Sequence, residues 1–216
     1  MDDRRQGVPS PMDQSSDADL IELIQQGDRS ALGTLLERHQ QRLFNVALRM
    51  VSNRDDAAEI TQDAMLKICE HIDSFRSDAK ITTWMTRIVM NLSISLLRKR
   101  KVRNHISLES SGPSQNGEDA AASLRHVLDD PREPGPAQSV ETGEMLEKLK
   151  NAIGRLDDDF RAVLVLRDID QMDYQQIAET LDLKTGTVKS RLFRARLALR
   201  QEMQQLDHPR QTSTPH

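Results

Sequence analysis

The sequence predicts an all-α fold: two small helical domains joined by a flexible acidic linker. Three observations predict it. Apolar residues recur at spacings of three and four along most of the chain, the periodicity of one helix face. No segment combines period-two alternation with a tight-turn signal, so no strand hairpin is expected. Between Asn104 and about Val140 the periodicity dissolves into Gly, Pro, Ser and acid; from Glu109 to Glu147 there are nine Asp/Glu against two Lys/Arg.

Residues 1–16 (MDDRRQGVPSPMDQSS) read as a polar tail. The first domain is expected over 17–103. Its first helix starts at Asp17, an N-cap candidate, carries Leu20, Ile21 and Ile24, and stops at Gly27-Asp28. Asp28 then caps a helix with Leu32, Leu35 and Leu36 inward, leading into RLFNVALRMV with Leu43, Val46, Ala47 and Met50 on one face. After the turn Ser52-Asn53-Arg54, residues Asp55 to Ile72 place Ile60, Ala64 and Ile68 toward a core. Cys69 is read as a buried small apolar side chain. The loop DSFRSDAK opens into a helix from Ile81 to about Arg100, apolar on most sides and so central to its bundle.

The linker covers 104–141, with Leu124, Val127 and Leu128 able to form a helical turn. The second domain covers 142–206. Met145, Leu146, Leu149, Ala152, Ile153 and Leu156 make an amphipathic helix; Asp157-Asp158-Asp159 breaks it and caps the next, Phe160 to Arg167. Two short helices then flank Asp182-Leu183-Lys184-Thr185. Ile177, Ala178 and Leu181 line the first, and Val188, Leu192, Ala195 and Leu199 the second, with Thr185 as its cap. Helix, tight turn, helix is the helix-turn-helix arrangement. Residues 207–216 are a tail.

Composition narrows the function. The single cysteine excludes an internal disulfide and any cysteine-cluster metal site. No metal site and no cofactor are expected: the six histidines are scattered, and HExxH, P-loop and GxSxG motifs are absent. No secretory segment and no membrane-spanning apolar run appear, so a cytoplasmic protein without membrane insertion is expected. Net charge is −4 over 216 residues, but the charges segregate. From Ala79 to Leu108 and between Asp182 and Glu202 there are cations and no acids. A chain that meets both a nucleic acid and a protein partner shows this segregation.

Three surfaces stand out. On the last helix Lys189, Ser190, Phe193 and Arg194 point away from the apolar face, flanked by Arg191 and Arg196. Guanidinium and ammonium groups reach phosphates or guanine edges, and a Phe meets a thymine methyl, so this face suits a major groove. On the Ile81 helix, Trp84, Arg87, Asn91, Ser95 and Arg98 form a stripe that runs into Arg98-Lys99-Arg100-Lys101, able to hold a phosphate backbone and stack on an unpaired base. On the Asp55 helix, Asp56, Glu59 and Asp63 share an acidic face without the His or Ser partners that acid–base catalysis would need.

Taken together, RLFNVALRM, DDAAEITQDAMLKI, DSFRSDAKITTWMTRIVMNLSISLLRKRK and FRAVLVLRDIDQMDYQQIAETLDLKTGTVKSRLFRAR occur in an order and at separations that resemble an extracytoplasmic-function (ECF) sigma factor of the sigma-70 family. The resemblance spans about 18–103 and 142–203. It implies a non-enzymatic RNA polymerase subunit that directs initiation at specific promoters, serving a stress or envelope response. The first domain is similar to sigma region 2 and the second to region 4. In that likeness Asp56, Glu59, Gln62 and Asp63 contact the core polymerase at the clamp helices of its largest subunit, and the second domain meets the flap. Phe75, Lys80, Trp84, Arg87, Asn91 and Arg98 match the part that captures a flipped base of the −10 element. Lys189, Ser190, Arg191, Phe193, Arg194 and Arg196 match the reader of the −35 element. Promoter DNA and an anti-sigma factor are the further partners it implies. The chain departs from the pattern at Asp182, where Gly is common, at Asp157, where Pro is common, and at Lys80. A stand-alone helix-turn-helix regulator is the alternative reading; it leaves residues 18–103 without a role.

Overall fold

A computed structural model describes residues 15–76, 80–110 and 138–207. The N-terminal tail, the centre of the acidic linker with Leu124, Val127 and Leu128, the tip of the 73–80 loop and the C-terminal tail lie outside the described residues. Everything regular among the described residues is helical.

The first domain holds α1 (Asp17–Gln25), α2 (Arg29–Val51), α3 (Arg54–His71) and α4 (Ile81–Ser110). α1 is capped by Ser16, not Asp17: Ser16 and Asp19 bond reciprocally, with the Asp19 N–H donating to the Ser16 hydroxyl at 3.2 Å and the Ser16 N–H to the Asp19 carboxylate at 2.9 Å. Asp17 is thereby left to accept from Arg38 at 2.8 Å and to lie 2.9 Å from His39 Nε2 on α2. Gly27, at φ +94, turns the chain into α2, where Asp28 accepts from the Ser30 and Ala31 amides. The two α2 patterns seen in sequence are one continuous helix. It ends on Ser52 in the left-handed region, and Asn53 caps α3 by accepting from the Asp56 N–H at 3.0 Å.

On α3, Ile60, Ala64 and Ile68 are buried as the spacing requires. Cys69 is exposed, which corrects the expectation of a core position. It follows Ile68 by one residue, and the roughly 100° step per residue carries it off the face that Ile68 occupies. α3 runs into a 3₁₀ turn, Ile72–Ser74. α4 packs against both α2 and α3, but the centre of the bundle is α2, which packs against α1, α3 and α4 and corrects the expectation that the Ile81 helix is central. Two buried hydroxyls of α4 are satisfied within the helix: Thr86 donates to the Thr82 carbonyl at 2.7 Å and Ser93 to the Val89 carbonyl at 2.8 Å. α4 continues to Ser110, past the expected domain boundary.

The second domain holds α5 (Gln138–Arg155), α6 (Asp158–Leu164), α7 (Tyr174–Leu181) and α8 (Thr185–Asp207). Asp157 caps α6, donating nothing and accepting from the Asp159 N–H at 3.1 Å. α6 does not stay α-helical to Arg167; Val165–Ile169 widen into a π turn. A reciprocal capping box of Asp173 and Gln176 starts α7. Asp182 ends it at φ 54, and the Leu183 N–H bonds back to the Ala178 carbonyl at 2.9 Å, so an aspartate makes the left-handed turn where glycine is usual. Lys184, not Thr185, occupies the cap of α8: its carbonyl accepts from the Val188 N–H at 3.1 Å, which puts Thr185 in the first turn.

The two domains are packed on each other. α4 lies against α7, and α2 meets α5, α6 and the π turn, so one apolar core runs through both. Arg161 sits at this junction. It is only 6% exposed and donates to the carbonyls of Ile153, Gly154 and Leu156 at the end of α5, and to Met50 of α2 at 2.6 Å. Four carbonyls compensate the burial of a cation that could not be left unbonded.

Candidate nucleic-acid interface

α4 presents the predicted stripe outward. Arg87, Asn91, Ser95 and Arg98 are exposed and Trp84 is half-buried. Phe75 is 7% exposed, and its ring lies 5.5 Å from the Trp84 ring at a 51° tilt. Phe75 therefore packs against the Trp84 indole, a tilted contact of the favourable aromatic type. Lys80 is exposed just before α4, and its carbonyl accepts from the Thr83 and Trp84 amides. Between α1 and this loop is a cleft of about 690 Å³ lined by Asp17, Glu22, Phe75, Lys80 and Thr82.

The helix-turn-helix presents α8. Val188, Leu192 and Ala195 are buried, which turns Lys189, Ser190, Phe193 and Arg194 to the surface. Phe193 is 72% exposed, a large apolar side chain left among cations. The six predicted residues divide into two sets. Arg191 is half-buried and pairs with Asp159 at 3.0 Å. Arg196 is bonded by Asp168 at 3.1 and 2.5 Å, and this hydrogen-bonded carboxylate raises its already high proton affinity. Lys189 lies 5.7 Å from the Tyr174 ring, which also carries Arg167 at 5.1 Å. Ser190 donates to the Thr187 carbonyl at 3.0 Å. Arg194 has no carboxylate partner among the described residues. Phe193 and Arg194 thus stand exposed on a helix braced by acids from α6 and the π turn.

The acidic face of α3 is also present in part. Glu59, Gln62 and Asp63 are exposed. Asp56 is turned inward and holds Arg100 of α4 at 2.5 Å. Leu66, 63% exposed, lies beside Gln62 and Asp63 at helical spacing. The sequence reading missed it, although the same i+3 and i+4 spacing would have found it.

Among the described residues, two cations of the first domain pair with acids of the second. Lys101 of α4 lies 2.7 Å from Asp158 and 3.6 Å from Asp157; Asp158 pushes its ammonium above the ordinary lysine range. Arg42 of α2 bonds Asp170 at 2.8 and 3.3 Å. Neither pair, nor the Arg161 contact, was visible in sequence: Arg42 and Asp170 are 128 residues apart and Arg161 and Met50 111 apart, and Lys101 and Asp158 lie on either side of the linker.

Comparison with known proteins gives this geometry a family. The Sigma-70 region 2 profile matches residues 35–103, and the Sigma-70, region 4 profile matches 146–199. The chain is similar to the ECF RNA polymerase sigma factor SigW of Bacillus subtilis, 31% identical over 86% of this chain and 96% of that one. It is also similar to the ECF RNA polymerase sigma-E factor of Escherichia coli, 30% identical over 90% of this chain and 97% of that one. In fold it is similar to the sigma factor RpoE solved with the anti-sigma factor NepR from Bartonella quintana, with a TM-score of 0.56 and 24% identity over 78% of this chain and 94% of that one. Among the described residues no helix is long and apolar enough to cross a membrane. An outward basic stripe on one domain, a helix-turn-helix on the other and relatives matched across nearly their whole length lead to one conclusion: the chain belongs to the ECF family of RNA polymerase sigma factors, which bind the polymerase and direct initiation at specific promoters.

Proposed function

We propose that residues 17–103 and 142–206 divide the work of promoter recognition. The first domain binds the core polymerase and opens the −10 element; the second reads the −35 element. The observation that carries this reading is the pair of outward helix faces, Trp84 to Arg98 on α4 and Lys189 to Arg194 on α8, both free of acid in a chain whose net charge is negative.

On α4, Arg87 and Arg98 hold the phosphate backbone, Asn91 hydrogen-bonds the edge of an unstacked base, and Trp84, braced by Phe75, offers the stacking surface. Extruding the base costs a few kcal/mol, so a surface that holds it favours melting and selects sequence together. Lys80 adds a cation at the mouth of the loop. On α8, Arg194 reads a base edge and Phe193 meets an apolar edge such as a thymine methyl. Lys189 and Ser190 add backbone contacts, and Arg191 and Arg196 do so from positions fixed by Asp159 and Asp168. Glu59, Gln62 and Asp63 form the polymerase-facing surface of α3, with Asp56 orienting it through Arg100.

The protein acts without catalysis or cofactor of its own, in the cytoplasm, and contacts the clamp helices and flap of the polymerase. An anti-sigma factor is its proposed regulator, in keeping with the complex known for RpoE and NepR. Transcription in vitro with core polymerase and fragmented genomic DNA, followed by sequencing of transcript 5′ ends, tests the reading. Defined start sites preceded by a shared pair of elements are expected. Co-purification with the polymerase but random start sites would overturn it.

A further inference from the structure

Arg191 and Arg196 border the exposed face of α8, one on each edge. At roughly 100° per residue the buried strip of Val188, Leu192 and Ala195 lies between them on the inner side, and Phe193 and Arg194 lie between them on the outer side. Each arginine meets a carboxylate from outside the helix. Asp159 of α6 lies 3.0 Å from Arg191, and Asp168 of the π turn accepts from Arg196 at 3.1 and 2.5 Å. The Arg196 contact is side-on. Asp168 engages Nε and Nη2, so the Nη1 hydrogens and the second Nη2 hydrogen stay at the tip of the guanidinium. That tip is the planar fork that fits a phosphate end-on. An acid that served only to cancel charge would need no such geometry. The same π turn also carries Arg167, 5.1 Å from the centre of the Tyr174 ring. Lys189 lies 5.7 Å from that ring centre, and it precedes Arg196 by two turns on the same side of α8.

We propose that Asp168 and Asp159 are specificity-determining positioning residues: they hold Arg196 and Arg191 toward the two phosphate walls of a major groove, which fixes the rotation of α8 about its own axis and aims Phe193 and Arg194 at base edges. This rests on the reading of α8 as the −35 reader and adds to it two residues, neither of them on α8, that set its discrimination. Phosphate contacts fix register and orientation, whereas base contacts carry sequence. Loosening an arginine therefore weakens binding at the cognate site, where rotation decides whether the base contacts form. At a wrong site there is no such contact to lose. Removing the acid also lifts its repulsion of phosphate at any sequence. Cognate and altered sites should therefore respond in different directions.

The test uses the full chain with core polymerase in single-round run-off transcription. The templates are a promoter found by start-site sequencing and versions of it with single −35 base pairs substituted. Asp168→Ala should lower the cognate transcript about threefold, the scale of one partly exposed bidentate pair, while transcript from the substituted templates stays level or rises. Asp159→Ala, whose carboxylate meets a single nitrogen, should shift the ratio of cognate to substituted transcript the same way by about twofold. In an Arg196→Ala background Asp168→Ala should leave that ratio unchanged, because its effect runs through the arginine. An equal fall on all templates with both variants is the mark of a merely structural role and overturns the proposal. An equal rise is the mark of simple charge screening and overturns it as well, as does a full effect of Asp168→Ala in the absence of Arg196. If the parent protein does not distinguish the −35 substitutions, the reading of α8 falls and the positioning role with it. If the parent distinguishes them and the Asp168 and Asp159 variants do so equally well, the positioning role alone falls.

Discussion

Arg161 stands in FRAVLVLR, where the sequence pattern gives no reason to bury a charge. Its surroundings are made by distant segments: the end of α5 supplies three carbonyls and α2 a fourth. Burial lowers its proton affinity, yet a guanidinium remains charged, so its loss leaves carbonyls unsatisfied in a dry junction. Arg161→Met is expected to lower stability by about 3 kcal/mol in chemical denaturation, because unpaired buried polar groups cost about 1–3 kcal/mol each and some of these carbonyls will recruit water. A loss below about 0.5 kcal/mol, the level of an ordinary surface change, would contradict this. Phase errors of one residue explain the other surprises at this scale. Cys69 misses the core by one step from Ile68, and Ser16 takes the cap that Asp17 seemed to hold because its partner, Asp19, completes the reciprocal pair.

Several helix ends were legible in the sequence, since a cap is a local bond between residues two or three apart. Asp28, Asp157 and the Asp182 turn were all readable for that reason. The π turn at Val165–Ile169 was not, because nothing in VLRDI distinguishes it from another helical turn. The Ser30 hydroxyl and amide hold the Asp28 carboxyl below its ordinary value of 3.8. A lowered folded-state value means the stabilisation is complete above the unfolded value and is lost as pH falls through the folded one. Melting temperature should therefore decline more steeply below about pH 4 in the parent than in Asp28→Asn, which caps without titrating. Parallel declines would contradict the assignment. At the other kind of end, Asp182 holds φ 54 with a side chain attached. Asp182→Gly is expected to raise stability by about 0.5–1 kcal/mol in thermal melts, since the left-handed region costs an ordinary residue about 1–2 kcal/mol and Asp somewhat less. A melting temperature that falls would contradict it.

At the scale of the molecule, the all-α class, the two domains and the outward faces of α4 and α8 could be read from periodicity, because a helix face is fixed by spacing alone. The packing of one domain on the other could not. It depends on Lys101, Arg42 and Arg161 finding partners far along the chain, and no local pattern encodes that. Nor could the division of the α8 cations be foreseen, since Asp159 and Asp168, which brace Arg191 and Arg196, come from another helix and a π turn. The central claim is that α8 places the polymerase and α4 opens the duplex, two separable acts on one promoter. Run-off transcription combined with permanganate detection of unpaired thymines tests it most directly, using core polymerase and a promoter identified from the start-site sequencing. Arg194→Ala should lower polymerase occupancy and transcript together by about tenfold, as loss of one base contact worth about 1–3 kcal/mol requires. Asn91→Ala should leave occupancy nearly intact while permanganate reactivity and transcript fall. Full transcript and full reactivity from both variants would contradict the account.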